Sequence, residues 1–201
     1  MLPVHLNSAC PGGEWISIGD LALPSGRVVA CDPFFCADAR SFTPTVPPGA
    51  YTVQLCRVVS REWGARIARS RIIVRPDETP VRFEHATNGP DGSTVFHVQA
   101  GIASYMDEDT RVRFADTLKD FYETHAQGNY YSDVLEPEFK KNAVDPADEF
   151  DIGQWAFHRL ADERLNVAMF ASGLGDGAFS SWWGLSAAGD VVSLTTDFGV
   201  Q

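Results

Sequence analysis

The sequence has no apolar run close to the roughly 18 residues that a membrane-spanning helix needs. It is also short of positive charge, because 16 Lys and Arg stand against 27 Asp and Glu, giving a formal net charge of −11. An acidic surface repels phosphate backbones and anionic bilayers. The composition therefore predicts neither nucleic acid nor a membrane as partner, and it is compatible with a basic protein partner.

The cysteines lack the paired C-x-x-C spacing of a structural zinc site. The first residues also lack the basic start and the long apolar stretch of a secretory leader. From these two absences we expect a cytoplasmic protein whose cysteines are reduced and pack as small core hydrophobes. The cysteines are Cys10, Cys31, Cys36 and Cys56.

Familiar catalytic motifs are missing as well. No two histidines have H-x-x-x-H spacing, and neither Ser172 nor Ser180-Ser181 fits the G-x-S-x-G nucleophile motif. The glycine-rich segment 173–177 fits neither a phosphate-binding loop nor an EF-hand. The sequence therefore favours a protein that is not an enzyme. It predicts no cofactor and leaves a divalent cation open.

Strand-like patterns dominate what is present. Residues 50–59 alternate between apolar and polar side chains, and residues 66–74 and 94–100 form two further runs. We expect the basic residues of 66–74 to face solvent. In the third run, Phe96 and Val98 should face one side and His97 the other.

Two short runs near the start predict a hairpin. They are Trp15–Ile18 and Arg27–Cys31, and the Ser25-Gly26 turn lies between them. Asp32-Pro33 then ends the second run, because proline has no N–H for a ladder and restricts the residue before it.

Residues 107–126 are the main helix candidate. Asp107 can cap the helix, and Gly128 can end it. Apolar residues recur at helical spacing at Val112, Ala115, Leu118, Phe121 and Tyr122. A shorter helix is expected near residues 136–141, inside a long acidic loop.

These elements predict an α+β fold: one β-rich domain over residues 1–201, with antiparallel sheets and one main helix. Its parts are N-terminal strands over 14–106, a helix and acidic loop insertion over 107–163, and a C-terminal β-meander over 164–201. The meander is expected because glycine turns cut the last residues into short strand-like runs.

Four carboxylates lie at predicted element ends, where side chains from separate strands can converge: Asp32, Asp107, Asp176 and Asp197. Asp32, Asp107 and Asp176 are candidate ligands for Mg²⁺ or Ca²⁺, which prefer oxygen donors. Asp32, Asp176, Asp197 and His97 are the candidate catalytic residues. The alternative for each carboxylate is structural, as a turn residue, a helix cap or an acceptor of backbone N–H groups.

Two surface features predict protein binding. Trp182 and Trp183 are adjacent on a predicted strand, so one should enter the core and the other should face outward, where it could anchor a partner. The acidic segment contributes Asp145, Asp148, Glu149 and Asp151, which would attract a basic partner. The alternatives are that both tryptophans are covered and that the acidic segment is a solvated loop.

Several short motifs occur in a fixed order along the chain. They are Ser25-Gly26, Asp32-Pro33-Phe34, residues 46–51, residues 98–101, residues 175–184 and residues 189–198. In this order they resemble the bacterial DUF4241 family over most of residues 20–200, whereas residues 108–165 contain no motif that we can place. The resemblance implies one co-folded domain of unknown function, and it supplies no activity, cofactor or catalytic residue.

Two functional hypotheses remain, together with a purely structural or self-assembling role. The first is a non-catalytic protein-binding domain, similar in size and charge to an immunity-type protein that neutralises a basic toxin. The alternative is a metal-dependent hydrolase or small-ligand-binding domain that uses Asp32 and Asp176 at strand ends.

Overall fold

A computed structural model describes residues 6, 10, 12–89, 92–149 and 151–200. Within these ranges the chain forms thirteen β-strands and two α-helices, with a 3₁₀ segment at Pro33–Asp38 and a π-helical turn at Tyr131–Leu135. The strands are β1 (Gly13–Leu23), β2 (Val28–Cys31), β3 (Phe42–Thr43), β4 (Gly49–Ser60), β5 (Gly64–Ile73), β6 (Arg82–His85), β7 (Thr87–Asn88), β8 (Val95–Val98), β9 (Ile102–Asp107), β10 (Trp155–Arg159), β11 (Asn166–Ala171), β12 (Gly177–Leu185) and β13 (Val191–Asp197). The helices are α1 (Glu108–Thr124) and α2 (Glu136–Lys140).

The strands form two main sheets. The larger has seven strands, six of them in the order β1-β4-β5-β13-β12-β6. The seventh, β8, pairs with residues 177–180 of β12, whereas β6 pairs with residues 182–185 of the same strand. The smaller has four strands in the order β10-β11-β9-β2, and β3 pairs with β7 separately. The named strand pairs are antiparallel, which confirms the predicted β-rich α+β class, at 44% strand and 19% helix. No helix in the described ranges is long and apolar enough to cross a membrane.

The four-stranded sheet is buried on both faces. On β11, Ala168 and Phe170 pack towards the seven-stranded sheet, whereas Val167 and Met169 pack towards the helices. The helical layer supplies Phe114 of α1 among its buried side chains. Because both faces are covered, β11 is an almost continuous apolar run with no polar alternation, as expected for a fully buried strand.

A chain of buried hydroxyl groups links the two sheets through their shared core. Tyr105 of β9 accepts a hydrogen bond from Ser70 of β5 at 2.8 Å, and its oxygen lies 2.5 Å from Thr196 of β13. Ser181 of β12 lies 2.7 Å from the same threonine oxygen. These contacts satisfy polar groups that would otherwise be costly to bury.

The predicted hairpin over residues 15–31 is wrong. β1 pairs with β4 in the large sheet, and β2 pairs with β9 in the small one. The Ser25-Gly26 turn therefore carries the chain from one sheet to the other. Asp107 holds this turn, because its Oδ2 accepts hydrogen bonds from the Ser25 N–H at 3.0 Å and the Ser25 hydroxyl at 2.8 Å.

The main helix is confirmed, with Asp107 as its N-cap, but its buried stripe differs from the predicted one. The helix buries Thr110, Phe114 and Leu118, whereas Val112 and Tyr122 are exposed. The helix ends at Thr124, before Gly128. The short helix near residues 136–141 is also confirmed, as α2.

The C-terminal strands are divided between the sheets. β12 and β13 form the predicted hairpin in the large sheet, but β11 belongs to the small sheet. Gly173 lies at the crossing with a φ of +66°, and an added Cβ there would lie 2.9 Å from the Phe198 Cβ. Only glycine fits such a bend without strain.

Two further expectations are wrong. Arg69 of β5 does not face solvent, because it is buried and pairs with Asp197 at 3.1 Å. Cys10 and Cys56 are not reduced, because they form a disulfide with a Cα–Cα distance of 5.4 Å. This bridge closes a small apolar cluster on the outer face of the large sheet. Cys31 and Cys36 are free and buried, as expected.

Candidate functional site: a groove around an acid-anchored turn

Two of the predicted acids converge on one turn. Asp32 caps the 3₁₀ segment through the Phe34 N–H, and its Oδ2 accepts hydrogen bonds from the N–H groups of Gln99 and Ala100, both at 2.9 Å. Asp176 Oδ1 accepts from the next amide, that of Gly101, at 2.9 Å. We call residues 99–101 the acid-anchored turn. Carboxylates 144 positions apart in sequence thus fix three consecutive amides, and such charge-assisted bonds are strong.

The other two predicted acids lie elsewhere. Asp107 accepts from the Asp109 N–H at 2.9 Å and from Ser25, and burial raises the pKa of its carboxyl group. Asp197 pairs with Arg69 and accepts from the Gly199 N–H at 2.8 Å. All four carboxylates therefore accept at least one backbone N–H. Among the residues that the structure describes, no three His, Cys, Asp or Glu side chains form a group that could hold a metal ion.

His97 and Asp32 line a common cleft of about 370 Å³, together with Cys31. The His97 side chain is exposed on β8, as predicted. Burial raises the pKa of the Cys31 thiol strongly, and it raises that of Cys36 to about 11. Both thiols therefore stay protonated near neutral pH, and a protonated thiol is a poor nucleophile.

A larger groove begins on the other side of the acid-anchored turn. Its first half has a volume of about 580 Å³. Aromatic and aliphatic side chains dominate this half: Phe34, Phe35, Tyr122, Tyr131, Phe139 and Ile152. Phe35 is 59% exposed, Tyr122 46% and Ile152 42%. We call this part the aromatic half.

The second half measures about 480 Å³ and carries charge. Asp148, Asp151 and Arg66 line it, with Gln154 and the apolar side chains of Val144 and Leu174. Two carboxylates stand against one guanidinium, so the lining is net acidic. We call this part the acidic half.

The two halves of the groove adjoin one another. They share Gly101, Ile152, Gly153 and Ala171 as lining residues. Gly153 has a φ of +76°, and an added Cβ there would lie 2.0 Å from the Phe139 carbonyl oxygen. The floor of the groove therefore requires glycine at this position.

The predicted acidic segment folds into hydrogen-bonded turns beside this groove. Asp151 accepts from the N–H groups of Val144, Asp145 and Gly153, at 2.8, 2.9 and 3.0 Å. The bond from Asp145 is the main reason that the pKa of Asp151 lies below its usual value. Asp145 in turn accepts from the Ala147 N–H, and Glu149 is exposed. Asp151 thus shapes the loop and also contributes negative charge.

The two adjacent tryptophans point to opposite faces, as predicted. Trp183 is 2% exposed and donates its indole N–H to the Thr43 carbonyl oxygen at 2.8 Å. Trp182 is half-buried on the outer face of the large sheet, where its ring lies 5.1 Å from that of His85. Neither tryptophan lines the groove.

The sequence analysis missed the aromatic half and the side chains that pack behind it. Next to Tyr131 and Phe139, Tyr130 lies 3.3 Å from His158 Nε2, and His158 Nδ1 lies 3.1 Å from both carboxylate oxygens of Glu138. Burial raises the pKa of Tyr130 to about 12. This network fixes the π-helical turn and α2 against β10. The local sequence signal for the aromatic half was the pair Phe34-Phe35, which follows Pro33.

Comparison with known proteins gives a family and no activity. A search of curated proteins finds no match, and a search of solved structures also finds none. The family described as "Protein of unknown function (DUF4241)" matches residues 21–196, a span that includes the lining of both halves of the groove. This match covers most of the chain, so the protein belongs to the DUF4241 family.

Proposed function

We propose that this chain is a non-catalytic protein-binding domain, and that its groove holds a segment of a basic partner protein. The observation that carries the proposal is that an aromatic half and an acidic half adjoin one another and share four lining residues. A bound segment would place a bulky apolar side chain in the aromatic half and lysine or arginine residues in the acidic half.

The aromatic half supports this occupant by its size and exposure. A volume of about 580 Å³ lies in the range of sites that hold one or a few bulky groups. Phe35, Tyr122 and Ile152 expose apolar surface that a partner would bury, and aromatic side chains are frequent energetic anchors of interfaces.

The acidic half supports a basic partner by charge complementarity. Asp148 and Asp151 line it, Glu149 lies beside it, and the whole chain carries a formal net charge of −11. This negative charge should raise the association rate with a basic protein and disfavour acidic competitors. Its effect on affinity should be smaller. Asp145 and Trp182, which the sequence also suggests as contacts, lie outside the groove lining, and buried Trp183 could contribute only through packing.

In its finer form, the proposal is an immunity-like role, in which the partner is a basic toxin in a bacterial cell. That form rests on size, charge and the absence of a familiar catalytic motif in the sequence. The Cys10–Cys56 disulfide favours an oxidising compartment over the cytoplasm that the sequence suggests. We therefore propose the binding function without tying it to one compartment.

No observation specifically favours the hydrolase alternative. Asp32 and Asp176 do converge, but they converge on backbone amides of the acid-anchored turn.

The test is selection from an unbiased peptide display library on the purified full chain, followed by affinity measurement of the enriched peptides. We expect peptides with a bulky apolar residue next to lysine or arginine. Their affinity should fall about tenfold or more for Phe35→Ser, and also for the double change Asp148→Asn with Glu149→Lys.

Matched controls lie outside the groove. Val81→Ser changes a similarly exposed apolar residue, and Asp77→Asn with Glu163→Lys makes the same change in net charge on exposed residues. Enriched peptides that bind the groove variants as well as the parent, or a library from which nothing is enriched, would overturn the proposal.

A further inference from the structure

Exposed apolar side chains are concentrated on the groove and on the hairpin beside it. Among the residues that the structure describes, ten large hydrophobic side chains are exposed. Five of them line the groove: Phe35, Tyr122, Val144, Ile152 and Leu174. Two more, Val59 and Trp63, lie where strands β4 and β5 meet. Exposed apolar groups that gather in one region mark an interaction site more often than single scattered ones do.

The end of the β4–β5 hairpin borders the acidic half of the groove. We call residues 59–63 the hairpin tip. Ala65, which follows the tip, lines the acidic half, and Gln154 of the same lining donates its Nε2–H to the Ala65 carbonyl oxygen. Val59 pairs directly with Ala65 across the hairpin, and the side chains of directly paired residues are neighbours. Val59 is 73% exposed, so an uncovered apolar side chain lies at the edge of the groove.

Local hydrogen bonds fix the shape of the hairpin tip. The Ser60 hydroxyl oxygen accepts from the N–H groups of Glu62 and Trp63, at 3.2 and 2.9 Å. Gly64 ends the turn with a φ of +68°, a backbone conformation that favours glycine. An exposed segment that is already ordered loses little further conformational entropy when it binds, and this favours association.

The hairpin is also the basic part of an acidic chain. Residues 57–75 contain six arginines and one acidic residue, although the whole chain has a formal net charge of −11. Three of these arginines pair with carboxylates. The other three form no ion pair in the described part of the chain: Arg61, Arg66 and Arg71. Asp148 and Asp151 give the acidic half the opposite charge, so the hairpin of one copy and the acidic half of another are complementary.

We propose that, in the absence of a basic partner, a second copy of this chain covers the groove, with the hairpin tip of each copy on the groove of the other. Because tip and groove lie side by side on one chain, a two-fold axis that passes between them forms both contacts at once. The tip supplies the exposed apolar side chains of Val59 and Trp63 and the exposed guanidinium of Arg61. The inference rests on the groove being the binding surface proposed above, and it adds regulation, since a basic partner must displace the second copy.

The test is sedimentation velocity of the full chain at about 0.15 M salt, which screens the repulsion between the two net charges beyond about 8 Å. We expect the parent to form a dimer within a concentration series that reaches about 0.2 mM, which detects a dissociation constant of about 0.1 mM. Two variants should each weaken the dimer about tenfold or more, because they remove exposed apolar contacts. They are Val59→Ser with Trp63→Ser in the tip, and Phe35→Ser with Leu174→Ser in the groove.

Mixing the two variants distinguishes a tip-to-groove contact from any other. The tip variant keeps its groove and the groove variant keeps its tip, so a mixed dimer retains one intact contact and should form more readily than a dimer of either variant alone. The matched control, Val81→Ser with Val112→Ser, changes two exposed apolar residues elsewhere and should dimerise like the parent.

A monomeric parent, a tip or groove variant that associates as strongly as the control, or a mixture that associates no better than its components would overturn the inference. The peptide selection tests the proposed function separately. A monomeric parent that still enriches groove-binding peptides would therefore overturn this inference alone.

Discussion

The two main sheets differ in how much of their surface is covered. The four-stranded sheet has the large sheet on one face and the helical layer on the other, whereas the outer face of the large sheet carries a mixture of exposed, half-buried and buried side chains, such as His85, Trp182 and Thr195. The small sheet therefore contributes packing, and the groove opens where its cover ends, at the acid-anchored turn that leads into β9.

Truncating one core side chain and one exposed side chain should give the largest difference in the free energy of unfolding. Phe170→Ala, in the core between the sheets, should lower the free energy of unfolding by about 3–5 kcal/mol, because it leaves a cavity. His85→Ala, at an exposed position on the outer face of the large sheet, should change it by about 0.5 kcal/mol or less. Urea denaturation measures both. Equal effects would contradict the division into covered and open surfaces.

The disulfide closes an apolar cluster on the outer face of the large sheet. Reducing Cys10–Cys56, or the change Cys56→Ser, should cost about 2–4 kcal/mol of stability, because the bridge restricts the unfolded chain. A thiol assay on denatured protein should find the two thiols of Cys31 and Cys36 without reductant, and four with it. Four thiols in the untreated protein would show that the bridge does not form.

Two substitutions at the acid-anchored turn should destabilise the protein to different degrees. Asp32→Asn weakens the acceptor for three backbone N–H groups in a buried position and should cost about 1.5–3 kcal/mol. Asp176→Asn affects one exposed hydrogen bond and should cost about 0.5–1 kcal/mol. Chemical denaturation ranks them. A larger cost for Asp176→Asn would mean that Asp176 contributes more than Asp32 to holding the turn.

The smallest effect should be the pH dependence of the acidic loop. Hydrogen bonds from backbone N–H groups lower the pKa of Asp151 below 3.8, so its contribution to stability is present above that pH and is lost as the pH falls towards the folded-state value. The stability difference between the parent and Asp151→Asn should therefore shrink as the pH is lowered from about 6 towards about 3. A difference that stays constant over this range would contradict the assigned contacts.

Local sequence patterns predicted strands and helices better than they predicted which strands pair. The alternation around Phe96 and Val98 gave both a strand and its buried face correctly, because that pattern depends on neighbours in sequence. The turn at Ser25-Gly26 was found, but a turn signal does not say which strand each arm pairs with. The stripe on α1 correctly included Leu118, Ala115 and Phe121, which pack against the core. It also included the exposed Val112 and Tyr122, and it missed the buried Phe114.

The site was harder to predict because no local pattern defines it. Asp32 and Asp176 were recognised at element ends, but their shared role depends on the turn at residues 99–101, far from both in sequence. The groove gathers short segments near residues 34, 100, 122, 130 and 152. Its exposed aromatic side chains look like core residues in a sequence, because hydrophobicity alone does not show which apolar groups remain uncovered.

The proposed function depends on the groove binding a basic protein. The most direct test is native mass spectrometry of the tagged chain purified gently from its native cells, before and after chelator, for the parent and for Phe35→Ser combined with Glu149→Lys. We expect a basic protein bound at fixed stoichiometry, unaffected by chelator and lost from the groove variant. A bound protein that the groove variant retains, or no protein but a divalent ion that chelator removes, would contradict it.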